Sequence, residues 1–137
     1  MTDADLRTVR RATAAVAALA LVLGVGSAVA DALAPAPDRI GLMRACFARE
    51  QGRAPADVPA RSPAAGAPGG ALRVPIEGAI VTIAVAGSPQ RAEELRQALL
   101  ADATSEYAAV EVHADVVYAW FPEPTGEQRQ AARDCTY

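Results

Sequence analysis

The chain has 137 residues, a net charge of −3 at pH 7 and 21% charged residues. That leaves room for one domain at most, and an acidic balance offers no electrostatic footprint for nucleic acid. All 13 Lys and Arg positions are arginine, and alanine together with the N-terminal segment inflates the 52% hydrophobic content.

Arg7, Arg10 and Arg11 precede an uncharged run over residues 12–30, and Asp31 ends it. At 1.5 Å per residue the run spans about 28 Å, near the hydrocarbon thickness of a bilayer. Positive charge ahead of it places the N-terminus in the cytoplasm and everything after it outside. Residues 1–30 are therefore expected to export the chain. Two forms fit. A cleavable signal peptide would have its apolar centre over 14–25, helix-weakening Gly24 and Gly26, and the A-x-A pattern Ala28-Val29-Ala30. An uncleaved anchor would cross the membrane once through residues 12–30. A buried helix of an ordinary domain would show a polar stripe, which this run lacks.

A short connector over 31–37 holds Pro35 and Pro37, which disfavour helix. Asp38 as an N-cap, Ile40, Met43 and Phe47 at helical spacing, and Gly52 as a stop predict an amphipathic helix over 38–51. Residues 52–71 are rich in Ala, Pro and Gly, with Val58 as the one large aliphatic residue. Such a stretch has little apolar surface to offset its ordering entropy. It is expected to be either a spacer, reaching on the order of 60 Å if extended, or a long surface loop.

Residues 72–137 are expected to form a small α+β extracytoplasmic domain. Leu72, Val74 and Ile76 alternate with Arg73 and Glu77, and Pro75 puts this strand at an edge. Glu77-Gly78 fits a tight turn. Residues 79–86 are continuously apolar, as in a central strand covered on both faces. Ser88 caps, and Pro89 starts, a helix whose buried stripe is Ala92, Leu95, Ala98 and Leu99. Residues 107–121 alternate as one long strand: Val110, Val112, Ala114, Val116, Tyr118 and Trp120 face one way, Glu111, His113 and Asp115 the other. After Asp115 the second face turns apolar too. Pro122 and Pro124 end the strand, and Thr125-x-x-Gln128 opens a C-terminal helix with a capping box. The expected fold is a signal or anchor helix, then a roughly three-stranded sheet with two to three helices.

Cys46 and Cys135 are the only cysteines, and export puts them where disulfides persist. A bond between them would tie the first helix to the end of the domain. Glu111, His113 and Asp115 recur at i, i+2, i+4 on one strand face. Carboxylate, imidazole and carboxylate in that order fit a divalent metal or acid–base work, and equally the solvated face of an amphipathic strand. His113 is the only histidine, so any Ser–His or Cys–His pair would have to use it. No G-x-S-x-G elbow exists. Residues 66–70 are Gly-rich but lack the flanking strand and lysine of a phosphate loop, so no cofactor is expected. Tyr107, Tyr118, Trp120 and Phe121 hold most of the aromatic surface, which belongs to a core or to a binding patch for glycan or protein.

The expectation is an exported, non-enzymatic cell-envelope protein that binds an envelope protein or cell-wall polymer. The membrane itself is a partner through residues 12–30 if the segment stays uncleaved. Two other classes stand beside it: a small secreted hydrolase or metal-dependent enzyme using His113 with Glu111 or Asp115, and a structural membrane tether.

Overall fold

Alternating apolar residues on short segments, each closed by a turn or a proline, build two β-hairpins that pair into one sheet. The computed structural model describes residues 38–137; the expected signal or anchor segment over 1–30 and the expected connector over 31–37 lie outside the described residues. The elements are α1 (Arg39–Gln51), β1 (Ala71–Ile76), β2 (Ala79–Val85), α2 (Pro89–Ala101), β3 (Ala109–His113), β4 (Val116–Phe121) and α3 (Gly126–Asp134), with a short 3-10 turn at Pro63–Gly66. The fold is α+β, with four antiparallel strands in the order β1-β2-β4-β3. Among the described residues no helix is long and apolar enough to cross a membrane.

The sheet has four strands rather than three because the stretch expected as one strand over 107–121 is a hairpin. His113 pairs with Val116 and Val112 with Val117, leaving Ala114 and Asp115 as the turn. Ala114 takes φ 51° there, without a glycine. A two-residue turn reverses which face each alternate position occupies. Val110 and Val112 therefore join the cluster of Val117 and Ala119, whereas Val116, Tyr118 and Trp120 join the opposite cluster. The first hairpin turns as expected at Glu77-Gly78, with φ of 46° and 87°, the mirror-image turn that matches strand twist.

β4 lies between β2 and β3, so the connection from β2 through α2 to β3 is a split β-α-β unit. Helices cover both faces. On one face Met43 and Phe47 of α1 and Ala132 of α3 pack with Leu72, Val74, Ile76, Val81, Ile83, Tyr118 and Trp120. On the other, Ala92 and Leu99 of α2 and Ala64 of the 3-10 turn pack with Ala84, Ala86, Val117 and Ala119. The small residues let α2 sit close to the sheet. Caps fix the helix starts: the Ser88 hydroxyl accepts from the Arg91 backbone N–H at 3.2 Å, and Thr125 and Gln128 form the expected capping box.

Residues 52–70 lie against the sheet. Ala56 exchanges two backbone hydrogen bonds with Arg73 of β1, at 2.8 and 2.9 Å. The Gly69 N–H donates to the Val85 carbonyl and the Val85 N–H to the Gly70 carbonyl. Pro55 and Ala64 are buried. Low apolar content is offset here by backbone pairing to Arg73 on the open edge of β1 and to Val85 at the end of β2, which a composition argument does not see.

Candidate functional site

Cys46 of α1 and Cys135, the residue after α3, are disulfide-bonded with their Cα atoms 5.5 Å apart. Both belong to the apolar layer over the first sheet face. Close by, the Tyr118 and Thr136 hydroxyls hydrogen-bond at 2.6 Å. Burial, the largest influence on it, pushes the Tyr118 hydroxyl well above its ordinary range.

Glu111, His113 and Asp115 are engaged separately. The Arg129 Nε of α3 donates to Glu111 Oε1 at 2.7 Å, and Arg129 also donates to the Pro124 carbonyl at 3.1 Å. The Arg39 Nη1 of α1 donates to Asp115 Oδ2 at 2.7 Å. His113 is exposed, and its ring stands edge-on to the Tyr137 ring with centroids 5.2 Å apart. The Tyr137 hydroxyl donates to the His113 carbonyl at 2.7 Å, and the Arg39 guanidinium lies over the Tyr137 ring at 5.9 Å. Charge-assisted bonds of this kind orient the groups they join. Here they fasten α1, α3 and the last residues to the second hairpin. Among the described residues no group of three or more His, Cys, Asp or Glu side chains is placed to hold a metal ion.

The opposite sheet face is only partly covered. Register puts Arg73 beside Thr82 and Ala119, and Pro75 beside Ile80 and Phe121, on the α2 side. α2 and the 3-10 turn cover the end of that face nearest Ala71, Ala84 and Val117. The other end floors a cleft of about 280 Å³. Its floor is Arg73, Ile80, Thr82 and Phe121; one wall is the loop carrying Pro59, Arg61 and Ser62, and the other is the α2–β3 loop from Asp102 to Tyr107. Phe121 is 49% exposed, and Thr82 is buried and accepts from the Tyr107 hydroxyl at 3.4 Å.

The charges in this cleft are balanced. The Thr104 hydroxyl and backbone N–H donate to Asp102 Oδ1 at 2.8 and 3.0 Å. Those two bonds, with the charge of Arg61, hold the Asp102 carboxyl below its usual range. Arg61, Arg73 and Glu106 make no ion pair within the described residues. The four aromatic residues therefore divide: Tyr118 and Trp120 are core, whereas Tyr107 and Phe121 line the cleft. The sequence carried one sign of this. Phe121 ends its strand before Pro122, where the covering layer stops. Arg61, Arg73, Asp102 and Glu106 come from four separate segments, and only tertiary structure gathers them. No protein-family model, curated protein or solved structure matches the chain, so the chemistry of the site rests on its own residues.

Proposed function

We propose that this protein is an exported, non-enzymatic binding module of the cell envelope, taking a partner protein or wall polymer in the cleft beside Phe121. The observation that carries it is a sheet face left open at one end, where an exposed aromatic ring sits among arginines and carboxylates that make no ion pair among the described residues. Concave sites in which polar groups converge around an apolar patch are where ligands bind, and here the polar groups form most of the lining. Export is supported by the charge order of residues 1–31 and by the disulfide, which persists in oxidising compartments. A hydrolytic or metal-dependent role for His113 has less support, because Glu111 and Asp115 are each already paired with an arginine.

The test is recovery of envelope material on the purified full chain. Phe121→Ala and Arg73→Ala should lose it, while Leu42→Ala, on α1 over the other face, should keep it. Equal retention by all three would remove the cleft from the account.

A further inference from the structure

We infer that the cleft recognises a zwitterionic unit, a free amino acid or dipeptide, with its carboxylate toward Arg61 and Arg73 and its ammonium toward Asp102 and Glu106. This rests on the cleft being the binding site. Three observations select that chemistry.

The first is size. A cleft of about 280 Å³ lies at or below the lower limit for drug-sized ligands. That volume suits one or two residues. The second is the arrangement of charge. Arg61 stands on one wall, and Asp102 and Glu106 belong to the other, with Arg73 on the floor, on the edge strand β1. The charge of Arg61 reaches the Asp102 carboxyl. A polyanion would meet the two carboxylates, and a neutral sugar would leave two guanidiniums without an anion. A ligand with a carboxylate at one end and an ammonium at the other answers both walls. Arginine is suited to the first of these because its planar fork accepts a carboxylate in two parallel bonds.

The third is the apolar floor. Ile80 and the exposed ring of Phe121 lie between the charged groups, where the side chain or methyl group of such a unit would rest. Three of the lining hydroxyls donate within the protein rather than to the ligand. Thr104 is spent on Asp102, Ser105 donates within its own loop, and Tyr107 is turned to Thr82. Two sources present this chemistry: free amino acids and dipeptides released from proteins, of L configuration, and those released from the short peptides of a wall polymer, which carry D residues.

The experiment is an amide-resolved NMR titration of the full chain with four probes: L-Ala-L-Leu, D-Ala-D-Ala, N-acetyl-L-Ala-L-Leu-amide and a neutral disaccharide. The expected result is movement of the amides of Arg73, Thr82, Thr104 and Tyr107 with at least one free dipeptide. The blocked peptide should bind about tenfold more weakly or worse, and the stronger of the two free dipeptides identifies the source. Arg73→Gln and Asp102→Asn should each weaken binding by about tenfold while the circular dichroism spectrum of the folded chain is kept. Equal binding of blocked and free peptides, or preference for the disaccharide, would overturn the inference while leaving the cleft as the site. No movement of cleft amides with any probe would also overturn it, and the recovery assay above would then show whether the cleft binds something else.

Discussion

Reducing the Cys46–Cys135 bond should remove a large part of the stability of this fold. The bridge closes a loop with a sequence separation of 89 residues. In the chain-entropy treatment a loop of that length restricts the unfolded chain by about 15 cal/mol/K, or about 4.6 kcal/mol at 25 °C. Small domains are stable by only about 5–15 kcal/mol, so the reduced protein should sit near its unfolding threshold. Reduction adds two hydrogens and removes no side chain, so the comparison isolates the cross-link from the packing of Cys135, which is buried. Urea unfolding with and without a phosphine reductant, followed by circular dichroism, measures the difference. With a slope of about 1–1.5 kcal/mol/M, the midpoint should fall by about 3 M or more. A change below about 1 kcal/mol would refute the claim that the bridge carries the stability of a domain this small.

Three further outcomes follow from packing and charge. A Cβ on Gly69 would lie 2.5 Å from Val85 Cγ1 and 2.8 Å from the Val85 carbonyl oxygen, so Gly69→Ala should cost about 1–3 kcal/mol in denaturant unfolding; no loss would mean the 52–70 loop does not sit on the sheet. Trp120→Ala, in the core, should cost about 3–5 kcal/mol, whereas Phe121→Ala should cost less than about 1.5 kcal/mol, because about half of that ring is already in water. Similar losses would contradict an open cleft. The Asp102 carboxyl is held below its ordinary value of 3.8, chiefly by the Thr104 hydroxyl and then by the Thr104 N–H. A folded value below the unfolded one stabilises the protein above that range, and the benefit is lost as pH falls through the folded value. The Tm advantage of wild type over Asp102→Asn should therefore hold at neutral pH and vanish on acidification. An advantage that grows in acid would reverse the sign of the argument.

Much of the layout is legible in the chain. Ser88-Pro89, Thr125 with Gln128 and Glu77-Gly78 are local signals whose chemistry acts within a few residues, and the helices and turn form where those residues stand. The disulfide follows from two cysteines at the two ends of the domain. The second hairpin was hidden because alternation runs straight through Ala114-Asp115. The change at Val117, where both faces become apolar, was the trace of a turn, and no glycine or proline marked it. Residues 52–70 were hidden for another reason. What holds them is backbone pairing from Ala56 to Arg73 and from Gly69 and Gly70 to Val85, which side-chain composition does not report. The cleft was least visible, because Arg61, Arg73, Asp102 and Phe121 share no motif and meet only when α2 stops short of the end of the sheet.

The most direct test of the central claim is site-specific photo-crosslinking in the native envelope. A photoreactive residue at position 121, inside the cleft, is compared with one at position 42, exposed on α1. The account predicts one envelope adduct from position 121, lost on Arg73→Gln, and none from position 42. Adducts from position 42 alone would contradict it.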